Sequence, residues 1–125
     1  MTDLFHSSLP IYEQIAELIK KRIIRGEIST GEKLPSVREM ALEVNVNPNT
    51  VQRTYRELEM MKIVETKRGQ GTFVTENKEI IDTIRNDMKK QVFEQFTEQM
   101  FEMGYTKEDI KRDLAAFLEK EGEES

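Results

Sequence analysis

The chain has 125 residues, no cysteine and a formal net charge of -5. That length suits one ordinary domain, or a small domain with an appendage, and the lack of cysteine excludes disulfides, thiol catalysis and thiolate metal sites. Hydrophobic residues make up 37% and charged residues 34%, so much of the helical surface must be solvated or the core must be completed by a partner. No run approaches the ~18 apolar residues of a membrane span. The N-terminus lacks the basic region and apolar run of an export signal. A cytoplasmic protein with no membrane partner is expected.

The negative total hides an asymmetry. Residues 1–78 carry 12 Lys+Arg against 11 Asp+Glu, net +1, whereas residues 79–125 carry 7 against 13, net -6. The acid sits in the C-terminal part, and local field rather than total charge decides affinity for phosphates.

Pro10 to Arg25 reads as a first helix. Pro suits a first helical turn, and Ile11, Ile15, Leu18, Ile19 and Ile23 give one apolar face. Gly26 ends it, and residues 28–33 form a loop with Thr30-Gly31 as its turn signal. Ser36 is a good N-cap and Glu39, three residues on, completes a capping box. This second helix runs to about Val44 and buries Val37, Met40 and Ala41. Asn45 supplies the turn, because Asn tolerates left-handed backbone angles. Asn47 or Pro48 opens a third helix whose inner face is Val51, Tyr55, Leu58 and either Met60 or Met61. Gln52, Arg53 and Arg56 point elsewhere.

Residues 62–67 and 72–75 are rich in β-branched and aromatic residues and read as a hairpin across Arg68-Gly69-Gln70-Gly71. After a short junction at residues 76–78, a long helix is expected over residues 79–103. Ile81, Ile84, Met88, Val92, Phe96, Met100 and Met103 form its stripe, widened by Ile80, Phe93 and Phe101. Gly104-Tyr105 breaks it. Thr106 caps a last helix with Asp109 in its first turn and Ile110, Leu114, Phe117 and Leu118 along its apolar side. The final acidic residues read as frayed.

Catalysis finds little support. The only histidine, His6, lies in an N-terminal leader, and carboxylates at helical spacing are usually solvated faces. Gly69-Gln70-Gly71 lacks the spacing and following helix of a phosphate-binding loop; its glycines more simply permit a tight turn. No catalytic residue, metal site or cofactor is expected.

Two packed helices followed by a basic glycine hairpin make a winged helix-turn-helix, a device for placing one helix in the DNA major groove. Arg38 sits early in the second helix, where it meets a phosphate or base edge unless it pairs with Glu39 or Glu43. Asn47, Asn49 and Thr50 start the recognition helix; capping accounts for one of them but not for all three. Gln52 and Arg53 lie on its first turns, where Gln suits adenine and Arg suits guanine. Arg56 is either a contact or a solvated residue. Lys67 and Arg68 suit phosphate or the minor groove. The candidate DNA contacts are Ser36, Arg38, Asn47, Pro48, Asn49, Thr50, Gln52, Arg53, Arg56, Lys67, Arg68, Gly69 and Gln70.

The fold expected is mostly α with a small β-hairpin: a winged helix-turn-helix domain over residues 1–76 and a helical dimerisation region over residues 77–125. Two helices with an apolar stripe have little of their own to pack against. A second copy of the chain is the preferred cover, through Ile81, Ile84, Met88, Val92, Phe96, Met100 and Phe117. A pliable ligand pocket around Met88, Met100 and Met103 is the alternative.

The first 75 residues resemble the GntR family of bacterial transcription regulators. The resemblance rests on Pro10-Ile11-Tyr12-Glu13-Gln14-Ile15, the run from Gly31 to Ala41, Val46-Asn47-Pro48-Asn49-Thr50-Val51 and the run from Arg68 to Val74. The short two-helix tail is similar to that of the YtrA-type subfamily. The resemblance implies a dimeric winged-helix repressor, often encoded beside a transporter operon, that binds an inverted-repeat operator in double-stranded DNA. It implies DNA contacts at Arg38, Asn47, Asn49, Thr50, Gln52 and the Arg68-Gly69 wing. Larger relatives carry an effector domain or an aminotransferase-like domain, and the resemblance carries no small-molecule effector over to this chain. The alternative of another class is a protein-interaction module that uses the winged fold for docking; basic residues gathered on the third helix and wing favour DNA.

Overall fold

Helix α1 spans Ile11–Ile24 and buries Ile15, Ala16, Ile19 and Ile23, a three-to-four-residue spacing that presents one face to the core. The computed structural model describes residues 8–124, and side chains as far as residue 122; His6 and the terminal Ser125 lie outside the described residues. Pro10 is the N-cap of α1 rather than its first helical residue. Ile11 stays 46% exposed.

Helix α2 spans Val37–Val44, and helix α3 spans Pro48–Met60. Asn45 ends α2 with φ 57° and ψ 55°, the left-handed geometry its amide side chain tolerates, and the Val46 N–H closes back on the Ala41 carbonyl at 3.0 Å. Asn47 caps α3 and Pro48 takes its first position. Helix α3 buries Val51, Thr54, Tyr55 and Leu58 and packs on both α1 and α2. The sequence pattern placed Met60 or Met61 on this face, yet both are exposed. Met60 ends the helix and lies on its outer side. Lys62, at φ 64°, then turns the chain so that Ile63 enters the core, fully buried.

Strands β1 (Val64–Lys67) and β2 (Gly71–Val74) pair antiparallel, Val64 with Val74 and Lys67 with Gly71. The turn is therefore Arg68-Gly69-Gln70, one residue shorter than the sequence pattern suggested. The segment before α2 adds a third line of pairing. Leu34 N–H donates to Thr72 O at 2.8 Å, Val74 N–H to Glu32 O at 2.9 Å and Gly31 N–H to Val74 O at 2.9 Å. Gly71 has φ 127°, a backbone conformation that side-chain-bearing residues rarely adopt, so the turn favours glycine there.

Helix α4 spans Lys78–Glu102 and helix α5 spans Lys107–Glu124; α5 thus keeps helical form through residues expected to fray. Thr106 and Asp109 cap α5 reciprocally. One compact unit ends at Arg85 and a second begins at Asn86. The division falls inside α4, past the junction expected at residues 76–78. Ile81 and Ile84 explain the shift: they are 6% and 8% exposed and lie within the first unit. They are covered by their own chain and offer no free apolar surface for a second one.

Candidate nucleic-acid interface

Three segments of the first unit carry the candidate contacts. Ser36 and Arg38 stand at the start of α2, Asn47 to Arg56 on α3, and Lys67 to Gln70 at the tip of the hairpin. Arg38, Asn47, Pro48, Asn49, Gln52, Arg53, Arg56, Lys67, Arg68, Gly69 and Gln70 are all exposed, as is Ser36, and Thr50 is half-exposed. On α3 the separation of faces follows from helical geometry. With Val51, Thr54, Tyr55 and Leu58 inward, a rotation of ~100° per residue sends Asn49, Arg53 and Arg56 outward and Gln52 to the flank.

The local hydrogen bonds explain why this surface is firmly held. The Ser36 hydroxyl accepts the Glu39 N–H at 3.1 Å, and the Glu39 carboxylate accepts the Ser36 N–H at 2.9 Å, which fixes the start of α2 and hence the base of Arg38. Asn47 Oδ1 accepts the Asn49 N–H at 2.8 Å, satisfying an otherwise orphaned donor at the start of α3. Capping thus engages the side chain of Asn47 and leaves those of Asn49 and Thr50 for other partners. The buried Tyr55 hydroxyl donates to Pro35 O at 2.7 Å, tying α3 to the entry of α2. Burial, with Glu43 and Glu39 nearby, raises the Tyr55 pKa, so this donor keeps its proton. The hairpin is tied to the end of α3 by Ile63 N–H to Leu58 O at 3.0 Å and by Thr66 N–H to Glu59 Oε2 at 3.1 Å.

The electrostatics favour an anion. Neither carboxylate that could neutralise Arg38 does so: Glu39 is held by the cap, which lowers its pKa chiefly through the Ser36 backbone N–H and then through its hydroxyl, and Glu43 pairs with Arg22 at 2.8 Å. Among the described residues Arg38, Arg56, Lys67 and Arg68 form no ion pair. Two cations rest instead on aromatic rings. Arg53 Cζ lies 3.9 Å from the centre of the Tyr12 ring, and Lys67 Nζ lies 4.6 Å from that of Phe73. Such contacts hold a cation without neutralising it.

Sequence reasoning missed Tyr12, Thr54 and Phe73 as supports beneath this surface. Thr54 is fully buried, and its hydroxyl lies 2.8 Å from Tyr12 O and 3.1 Å from Thr50 O. Its place three residues after Val51 was the available signal. Tyr12 and Phe73 meet their cations across elements, which no local pattern displays. No group of three or more His, Cys, Asp or Glu able to hold a metal ion occurs among the described residues, and no helix is long and apolar enough to cross a membrane.

The second unit presents a different surface. Val92, Phe93, Phe101 and Met103 on and just after α4, and Leu114, Phe117 and Leu118 on α5, are exposed, with Val92 at 61% and Phe117 at 59%. Met88, Phe96 and Met100 are half-exposed, and Ile110 is buried.

Residues 11–74 match the model of the gntR family, described as bacterial regulatory proteins. Over 119 residues the chain is 51% identical to the uncharacterized HTH-type transcriptional regulator YhcF of Bacillus subtilis (strain 168), spanning 95% of this chain and 98% of that protein. It is 52% identical over 71 residues to the HTH-type transcriptional repressor YtrA of the same organism, spanning 57% of this chain and 55% of that protein. Among solved structures it is similar to a GntR family transcriptional regulator from Listeria monocytogenes, with 42% identity and a TM-score of 0.82 over 93% of this chain and 98% of the other.

Proposed function

The chain belongs to the gntR family of bacterial regulatory proteins, and from that premise we propose that it is a dimeric repressor of an operon, acting on an inverted-repeat operator. It is a DNA-binding transcription regulator of winged helix-turn-helix fold. The observation that supports DNA as the partner is the set of exposed cations without ion pairs on α2, α3 and the hairpin tip, set beside Asn47, which caps α3, and outward Asn49. Helix α3 enters the major groove, with Asn49, Gln52 and Arg56 toward base edges. Arg38 and the wing residues Lys67 and Arg68 grip phosphates and fix the register. Repression follows the name of YtrA and the simple physics of occupancy: a protein seated on promoter DNA excludes polymerase. The reading includes no catalytic step and no cofactor, and it places the protein in the cytoplasm, where its DNA is.

The dimer rests on the second unit. Exposed Val92, Phe93, Phe117 and Leu118 form the kind of apolar surface that a soluble chain covers with a partner, and a second copy supplies the two-fold symmetry that an inverted repeat matches. Nuclease protection of the DNA upstream of the chain's own gene tests the operator reading, with a protected palindrome as the expected result. Light scattering tests the dimer: Val92→Asp combined with Phe117→Asp should give a folded monomer. A dimer unchanged by both substitutions would remove this face from the interface.

A further inference from the structure

Arg53 is set apart from the other outward residues of α3 by where its charge is held. Its guanidinium carbon stands 3.9 Å from the centre of the Tyr12 ring, on α1, and among the described residues no carboxylate pairs with it. The next residue, Thr54, is fully buried, and its hydroxyl donates to the carbonyl of that same Tyr12 at 2.8 Å. Two consecutive residues of α3 therefore grip one residue of α1, one through its ring and one through its backbone. The Tyr12 ring is itself half-buried, and its hydroxyl donates to Glu13 Oε1 at 3.2 Å. Partial burial and the backbone bond from Thr54 hold the platform, rather than this bond to the adjacent side chain, while Arg53 above it stays exposed.

We propose that Tyr12 is a positioning residue for DNA binding, holding Arg53 on the α1 side of α3 so that it grips a phosphate at the edge of the groove. The inference rests on the DNA-binding reading of α3. A guanidinium stacked on a ring spends one face on the ring, while its N–H donors, which lie in its plane, remain free for a forked pair of bonds to phosphate oxygens. Reaching a guanine on the groove floor would require Arg53 to leave the ring and extend along the outward line shared by Asn49 and Arg56. The stack opposes that movement. It also orders a long side chain before binding, so less rotamer freedom is lost when the phosphate arrives.

The test compares Tyr12→Leu, Tyr12→Phe and Arg53→Ala with the wild-type chain on operator and random duplexes over a range of salt. Arg53→Ala should weaken both duplexes alike and reduce the log–log salt slope by about 0.9, the signature of one lost phosphate contact. Tyr12→Leu keeps the charge and loses the platform. It should weaken binding about two- to tenfold, the usual cost of ordering one long side chain, with the slope unchanged. Tyr12→Phe keeps the ring and should match wild type. In the free protein, NMR should show the Arg53 side-chain protons shifted upfield by the ring in wild type and Tyr12→Phe. Wild-type affinity in Tyr12→Leu, or an Arg53→Ala loss confined to the operator, would overturn the inference while leaving the DNA-binding reading intact. Failure of the wild-type chain to bind any DNA would overturn both. Should Tyr12→Leu not fold, the missing upfield shift in wild type would overturn the inference by itself.

Discussion

Gln52 carries the sharpest expectation at the scale of a single residue. It is exposed on the flank of α3, and its amide can pair two-pronged with adenine in the major groove. Gln52→Ala should cost about 1–3 kcal/mol on the operator and little on random DNA, with discrimination relaxed at one base position per half-site. Equal losses in a titration of both duplexes would make Gln52 a backbone contact. Tyr55 is a structural counterpart. Tyr55→Phe removes the hydroxyl that donates to Pro35 O and should lower stability by about 1 kcal/mol. Because the folded pKa lies above the ordinary 10.0, the unfolded chain releases the phenolic proton first. The wild type should therefore lose stability as pH climbs past 10, and Tyr55→Phe should lose less over the same range. Denaturant melts at pH 7 and above pH 10 check both. The exposed placement of Gln52 and Arg38 was legible in the sequence, since the apolar spacing of α2 and α3 leaves them off the inner face. The ring beneath Arg53 was not, because Tyr12 and Arg53 lie on different helices, and only packing shows that they meet.

At the scale of elements, the helix ends follow from local chemistry. The Ser36–Glu39 and Thr106–Asp109 boxes form as their spacing predicts, and Asn45 takes the left-handed turn that its side chain allows. Ser36→Ala should destabilise the chain by about 1 kcal/mol, the usual worth of an N-cap hydroxyl. The carboxylate side of the box should depend on pH. The cap lowers the Glu39 pKa below its ordinary 4.5, so its contribution is present above that value and is lost as pH falls through the folded pKa. The main-chain N–H of residue 36 survives in Ser36→Ala, so Glu39→Gln is the substitution that reads this: thermal melts should show its gap from wild type larger at pH 7 than near pH 3. A gap that does not narrow would mean that the carboxylate plays no part. Non-local pairing is where the sequence was silent. The Glu32–Leu34 segment joins β2 as a further line of hydrogen bonds, yet it carries loop residues and no alternating pattern. The end of α3 was misread for a similar reason: Met60 and Met61 continue the apolar rhythm, but the turn at Lys62 hands the core position to Ile63.

For the whole molecule, charge and apolar surface divide along the chain. The first unit carries the unpaired cations of α2, α3 and the wing; the second carries a net negative charge and exposed Val, Phe and Leu side chains. Charge made this division legible, and what no local pattern shows is that Ile81 and Ile84, in the first turns of α4, are buried within the first unit. The proposal joins both halves: the second unit pairs two copies, and their first units read two half-sites related by the same two-fold axis. Half-site centres should then lie about one helical turn, roughly 10 base pairs, apart on one face of the duplex. Binding to the intact operator, set against the same operator with about 5 base pairs inserted at its centre, tests this most directly. The insertion carries one half-site to the far side of the duplex, so tight binding should fall to the affinity of a single half-site. Equal affinity for the two duplexes would contradict a symmetric dimer reading an inverted repeat.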